Sequence, residues 1–296
     1  MSPSPPSSPA AASIPAASEA RPAPRPVALV TGAARRIGRA ITLELARHGW
    51  DLVLHCRGGA ASLADAEASA DEARALGAQA QVLAADLAIE AACEALVPAA
   101  VAALGRLDAV VNNASSFEYD SVASFSSQAM DRAWRSNTAP AVLLARALHA
   151  HLLTRGTDPA TAGPATGCVV NLLDQKLVNP NPDYFSYTLS KAALAEATVM
   201  LAQALAPRLR VCAVSPGVTL VSGTMNAAEF DAAHRLTPLQ RSSTPQDIAR
   251  AVRFLLESPA ITGHTLVVDG GQHLQGQPRD VLFLAQQTMA ATAKDS

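Results

Sequence analysis

Tyr187 and Lys191 stand four residues apart, one turn of a helix, so both side chains leave the same face. An ammonium beside a phenol stabilises the phenolate and lowers its pKa, which lets Tyr187 donate or accept a proton near neutrality. The same spacing is also common on ordinary amphipathic helices. Asp174 lies thirteen residues before Tyr187, at the end of the apolar run Cys168–Leu173. A second group of residues, Gly32-Ala-Ala-Arg-Arg-Ile-Gly38, follows the apolar run Val27–Thr31 and opens a helical pattern. Gly32 permits a tight turn and Gly38 a close helix–strand approach, and an anion at that helix start would meet N–H groups and the positive dipole end. The next apolar run ends Leu52-Val-Leu-His55-Cys-Arg57 with no carboxylate; Arg57, Arg35 and Arg36 offer guanidinium groups instead.

These residues need a frame that brings strand ends and helix starts together. β-rich runs at Val27–Thr31, Leu52–His55, Ala80–Ala84, Ala109–Asn112, Cys168–Leu173, Arg210–Val214 and Thr265–Val268 alternate with helical patterns. The helical patterns are Ile37–His48, Ala60–Leu76, Ala88–Leu104, Gln128–Thr154, Tyr184–Ala206 and Pro245–Glu257. The runs are apolar with little alternation, as in parallel strands covered on both faces. The pattern predicts an α/β, single-domain, doubly wound Rossmann fold with a seven-stranded parallel sheet flanked by helices, over 27–274. In that frame the glycine loop reads as a dinucleotide site. Arginines where an acid would meet an adenosine 2′-hydroxyl favour NADP over NAD, unless they are merely solvated surface charges.

Residues 1–26, dominated by Pro, Ser and Ala, read as a disordered tail, and 275–296 as a C-terminal arm or interface segment. With 49% hydrophobic residues the 296-residue chain can bury a full core. A formal net charge of −2 argues against a nucleic-acid binder that works by counterion release. No apolar run reaches the roughly 18–20 residues of a membrane helix, so no membrane partner is expected. The four cysteines are far apart and read as free thiols in a reducing cytoplasm. His149 and His151 diverge on a helix, and no metal site is expected.

In order and spacing, Gly32-x-x-x-x-x-Gly38, Asn112-Asn113-Ala114, Tyr187-x-x-x-Lys191, Pro216-Gly217 and Val268-Asp-Gly-Gly271 resemble the short-chain dehydrogenase/reductase family over roughly 27–274. The resemblance implies a cofactor site of Gly32, Arg35, Arg36, Ile37, Gly38, His55, Arg57, Asp86, Leu87, Asn113, Ala114, Ser115, Tyr187, Lys191, Pro216 and Gly217. It implies an adenine contact at Asp86-Leu87, a carboxamide contact at Pro216-Gly217 and a proton-relay water held at Asn137, which joins Asp174, Tyr187 and Lys191 as the catalytic set.

Two departures point further. Arg36 replaces the middle glycine of the family's TGxxxGxG, and Asp174 replaces its catalytic serine. A serine hydroxyl stabilises the oxyanion of a reduced ketone, whereas a carboxylate would repel it. Both departures are similar to the pteridine reductase branch, as is Asn112-Asn-Ala-Ser-Ser-Phe117. That likeness implies NADPH, a pterin-like or dihydrofolate-like substrate, and substrate contacts from Arg36, Ser115, Phe117, Asp174 and Tyr187. Phe117 would stack the pterin ring, or it is a loop anchor; Asp174 would hold the heterocycle, or it is an N-cap. The alternatives are a reductase of a ketone, quinone or 3-oxoacyl substrate, and a catalytically silent NADP-binding sensor. The apolar stretch Gln128–Thr154, with Trp134, Leu143, Leu144, Leu148 and Leu152, suits either a homodimer or homotetramer face or the core, and Leu220–Arg241 a substrate lid.

Overall fold

In the computed structural model of the chain, residues 24–158, 163–221 and 225–292 are described. The tail expected at 1–26 lies almost wholly outside the described residues. Seven strands, β1 (Val27–Val30), β2 (Asp51–Cys56), β3 (Ala80–Ala84), β4 (Ala109–Asn112), β5 (Gly167–Leu172), β6 (Leu209–Pro216) and β7 (Thr265–Val268), form one sheet in the order β3-β2-β1-β4-β5-β6-β7. Every pairing is parallel.

The helices between and after them are α1 (Arg36–Arg47), α2 (Ala60–Ala75), α3 (Glu90–Leu104), α4 (Ser127–Asn137), α5 (Ala139–Arg155), α6 (Phe185–Ala204), α7 (Ala227–Arg235), α8 (Pro245–Glu257) and α9 (Val281–Thr292). The strands are mostly apolar because alternate side chains enter two different cores. Ala28, Val30, Leu52, Leu54 and Val111 meet Ile41 and Leu45 of α1 and Ile248, Val252 and Leu255 of α8. Val27, Leu29, Val53 and Val110 meet Leu96 of α3 and Leu144, Leu148 and Leu152 of α5 on the opposite face. This is the doubly wound Rossmann arrangement.

One stretch differs from the sequence reading, and two others carry helices that it did not assign. The helix expected at Gln128–Thr154 is two helices that break at Thr138. Pro140, in the first turn of α5, has no N–H for a carbonyl of the preceding turn, and its ring would clash there. The break leaves Trp134 45% exposed on α4, while Leu144, Leu148 and Leu152 of α5 are fully buried within this chain's own core. The segment Leu220–Arg241 contains α7, whose N-terminus is a capping box: Asn226 accepts from the Glu229 N–H, and the Glu229 carboxylate from the Asn226 N–H. The C-terminal arm carries α9, whose Val281 and Ala285 pack with Ala233 of α7.

The chain runs from β1 out to β3 and returns to start again at β4, so the loops after β1 and β4 diverge and leave a crevice at the strand ends. Close contact closes its floor. A Cβ on Gly38 would lie 2.2 Å from the Gly32 carbonyl oxygen and 2.7 Å from Asn113 Nδ2. Gly38→Ala is therefore expected to destabilise the protein by about 1–3 kcal/mol through overpacking. A lowered urea midpoint with an unchanged slope would confirm it; an unchanged midpoint would mean the loop yields without strain.

Candidate active site

Over the crevice lies a groove of about 460 Å³ lined by Gly32, Arg35, Arg36, Ile37, Gly38, His55, Arg57, Asp86, Leu87, Asn113, Ala114 and Ser115. Asn113 ties the two diverging loops together: its Nδ2 donates to the carbonyls of Thr31 at 2.9 Å and Gly32 at 3.1 Å, and its N–H donates to Thr31 Oγ1 at 2.9 Å. His55 is buried under the glycine loop, where Nδ1 accepts from the Gly32 N–H at 3.3 Å and Nε2 faces the Ala85 carbonyl at 2.9 Å. Burial lowers its pKa, against an opposing pull from the Ala85 carbonyl, and a neutral ring suits an acceptor at Nδ1.

A dinucleotide fits this groove. No side chain of the N-cap residue Arg35 closes the first turn of α1, so that positive end is open to an anion. Arg36 occupies the left-handed region at φ 56°, which disfavours a side chain by roughly 1–2 kcal/mol and accounts for a glycine at this place in the family pattern. Such strain persists where the side chain has a use; here Arg36 Nη1 donates to the Val221 carbonyl at 2.9 Å, bridging the groove to the segment after β6. The other two arginines are engaged: Arg35 pairs with Asp65, and Arg57 faces Asp86 at 3.3 Å.

Arg36, Ile37, Asn113 and Ser115 also line an adjoining cavity of about 280 Å³, which contains Phe117, Asp174, Tyr187, Lys191, Pro216 and Gly217. The Tyr187 hydroxyl donates to Asp174 Oδ2 at 2.9 Å, and Asp174 Oδ1 accepts from the Lys176 N–H at 2.9 Å. Lys191 Nζ donates to the Leu172 carbonyl at 2.7 Å and lies 5.8 Å from the Tyr187 ring centre. The expected lowering of the tyrosine pKa by Lys191 is corrected by this geometry. Burial, then the neighbouring Asp174 carboxylate, push Tyr187 well above the usual phenol range. Burial brings Lys191 itself down to about 8. It also raises Asp174, although bonds from the Lys176 N–H and Tyr187 hydroxyl oppose the shift. The Asp174–Tyr187 pair is thus biased towards its protonated forms.

Asn137 does not stand beside this pair. Its Oδ1 accepts from the Ser116 N–H at 2.8 Å and from Ser115 Oγ at 3.1 Å, and its Nδ2 donates to the Ser116 carbonyl and Ser190 Oγ. The side chain staples the loop after β4 to α6. Phe117 stacks face to face on Tyr184 at 4.1 Å and meets the Tyr187 ring edge-on at 4.7 Å. One face of Phe117 is therefore covered, and a flat ligand would have only the other.

Among the residues that line this cavity, Lys176, Tyr184, Gln272 and Asp280 escaped the sequence reading. Asp280 comes from the C-terminal arm, which is clamped in place by Arg279 on Asp183 at 2.8 and 2.9 Å and by the Asp280 N–H on the same carboxylate at 2.7 Å. Although burial raises Asp183, these bonds outweigh it and hold the carboxyl low. Tyr184 sits in the left-handed region at φ 53°, and burial with Asp280 and Asp183 nearby pushes it up to about 12. An Asp before the apolar run Val281-Leu-Phe-Leu is a legible helix start, but its reach into the cavity is a long-range fact. Among the described residues there is no group of three or more metal-ligating side chains, and no helix is long and apolar enough to cross a membrane.

Residues 32–273 match the family model described as enoyl-(acyl carrier protein) reductase. A crystal structure titled FolM alternative dihydrofolate reductase 1 from Brucella canis, complexed with NADP, is similar at 40% identity and TM-score 0.76, over 86% of this chain and 97% of that one. An uncharacterized oxidoreductase of Mycobacterium tuberculosis is 35% identical over 83% of this chain and 91% of its own length. A 3-oxoacyl-[acyl-carrier-protein] reductase of Aggregatibacter actinomycetemcomitans is 30% identical over 82% and 97%.

The raised Asp174 pKa has a consequence for stability. Between the ordinary carboxyl pKa and the raised one, the folded state binds more protons than the unfolded, so stability falls as pH rises through that window. Asp174→Asn keeps an acceptor for Lys176 but does not titrate. It is expected to melt above the wild type at about pH 8, with the difference closing towards about pH 4. Equal melting temperatures at both pH values would show that Asp174 is ionised without penalty.

Proposed function

The chain belongs to the short-chain dehydrogenase/reductase family, and from this oxidoreductase frame we propose that it is an NADPH-dependent reductase of a pterin-like or dihydrofolate-like heterocycle. The observation that carries the reading is the Tyr187 hydroxyl bonded to Asp174 at the base of the cavity, with both pKa values raised. Asp174 stands where the family pattern has serine. With its pKa raised, Asp174 holds a proton beside the phenol, which suits a ring nitrogen that must gain one.

NADPH, when bound, supplies a hydride to the substrate. Gly32, Gly38 and the open start of α1 would hold its phosphates, and Arg35, Arg36 and Arg57 would meet the 2′-phosphate. Asp86-Leu87 would border the adenine and Pro216-Gly217 the carboxamide. Lys191, fixed on the Leu172 carbonyl, would hold the nicotinamide ribose. Tyr187 would deliver the proton to the reduced C=N bond, with Asp174 orienting the heterocycle and Ser115 and the free face of Phe117 forming its walls. Asn137 would position the loop that carries Ser115, beside the proton-relay water that the resemblance implies it holds.

The second reading, a ketone or 3-oxoacyl reductase, is favoured by the likeness to a 3-oxoacyl-[acyl-carrier-protein] reductase. Exposed Trp134 on α4 and Leu189 and Met200 on α6 would suit a homodimer or homotetramer face. Four buried free cysteines suit the cytoplasm.

NADPH consumption with dihydrobiopterin, dihydromonapterin, dihydrofolate and an acetoacetyl thioester separates the readings. Turnover of a pterin or dihydrofolate is expected, falling about 100-fold or more in Tyr187→Phe and strongly in Asp174→Ser. Turnover of the thioester alone, improved by Asp174→Ser, would replace this reading with the second. Tight NADPH binding without turnover of any of them would favour a cofactor sensor.

A further inference from the structure

Asp280 stands directly before α9 and caps it: its Oδ1 accepts from the Leu282 N–H at 3.2 Å, and its carbonyl accepts from the Leu284 N–H at 3.2 Å. A cap needs only one carboxylate oxygen. The other, Oδ2, faces Lys176 Nζ at 3.5 Å, longer than an ordinary hydrogen bond, while that ammonium donates to the Asp183 carbonyl at 2.5 Å. A carboxylate offers about four acceptor positions, so Asp280 keeps spare capacity on both oxygens.

That capacity is within reach of a ligand. The Asp280 side chain is 19% exposed, and the residue lines the cavity that holds Phe117, Asp174 and Tyr187. Burial is the main cause that raises Asp174 and Tyr187, and the charge of Asp280 adds to both. Asp183 differs: it is buried, and it accepts from Arg279 twice and from the Asp280 N–H at 2.7 Å. The clamp thus uses up one acid and presents the other. With its N–H on Asp183 and its carbonyl on α9, Asp280 is held in place before a ligand arrives, which lowers the ordering cost of binding. A ketone or thioester brings an acceptor, which a carboxylate repels. An amino-substituted heterocycle brings N–H donors, and their hydrogen bonds to a carboxylate are charge-assisted.

Resting on the reductase reading above, we propose that Asp280 is a specificity-determining residue, its carboxylate accepting an N–H from the exocyclic amino group of a 2-amino heterocycle while Asp174 and Tyr187 serve the ring nitrogen that is reduced. A ligand with oxygen in place of that amino group meets like with like and is disfavoured.

The test uses the full chain saturated with NADP, with calorimetric titration of biopterin and of its counterpart that carries oxygen in place of the 2-amino group. Asp280→Asn keeps an oxygen for the Leu282 N–H and offers an amide NH2 in place of the second oxygen. Biopterin is expected to bind about tenfold more weakly to this variant. The oxygen-bearing counterpart, which brings an acceptor to that amide, should bind no more weakly than to the wild type. Asp280→Ser keeps a capping oxygen without the reach, so it should also weaken biopterin and spare the counterpart, and it serves if the first variant does not fold. In turnover the KM for a dihydropterin should rise more than kcat falls. Unchanged biopterin binding, or equal weakening for both ligands as a merely structural role would give, would overturn the role of Asp280 and leave the reductase reading standing. Wild-type protein that neither binds biopterin nor turns over any dihydropterin would overturn both.

Discussion

Tyr187 and Asp174 share a hydrogen bond of 2.9 Å, and each is placed by a different part of the chain. Asp174 extends from the end of β5 and is fixed by the Lys176 N–H, so the central sheet sets its position. Tyr187 lies in the first turn of α6, whose start needs outside support because Tyr184, in the left-handed region, offers no side-chain cap. Asp120, from the loop after β4, takes that role: its carboxylate accepts from the Ser186 N–H at 2.9 Å and from Ser186 Oγ at 2.5 Å. Asn137 then binds the same loop to Ser190, one turn further along α6. Sheet, loop and helix must all dock before the pair can form.

The sheet withstands the forces that the site generates because it is buried on both faces. Leu29, Leu52 and Leu54 are among its fully buried side chains, and the parallel ladder is continuous over seven strands. Against that rigid background the site carries two non-glycine residues at positive φ, Arg36 and Tyr184, and a lysine whose pKa burial brings to about 8. Strain and desolvation of this kind destabilise a free-standing loop or helix end; here the surrounding packing over-determines the conformation. The same reasoning separates structural from chemical roles. The Asn112–Asn171–Thr198 chain of hydrogen bonds is buried and fully paired, and it ties β4 and β5 to α6 without reaching the cavity.

The cofactor end and the substrate end of the crevice differ in chemistry. The groove beside β1 and β2 presents N–H groups, a helix start and arginines, which suit phosphate. The arginines are held by Asp65 and Asp86, so a bound phosphate would compete with or join exposed ion pairs that are each weak in water. The cavity beside β5 and β6 presents carboxyl groups and aromatic rings. Arg36, which with Ile37, Asn113 and Ser115 lines both, is held by the carbonyl of Val221 in the segment after β6.

The sequence by itself determined whatever depends on neighbours within a few residues. Apolar runs with β-branched residues located all seven strands to within a few residues, and glycines 32 and 38, the Tyr187–Lys191 spacing and Asp174 marked the ends of the crevice. Signals for the break at Pro140 and the capping box at Asn226 were present too, but a continuous apolar periodicity concealed the first and a polar lid the second. Only the tertiary structure decided that Lys191 turns to the Leu172 carbonyl, that Tyr184 covers one face of Phe117, and that the arm brings Asp280 to the cavity beside Gln272. Burial and pairing of a charged or polar group depend on elements that approach from far along the chain, and they fix whether that group keeps or yields its proton.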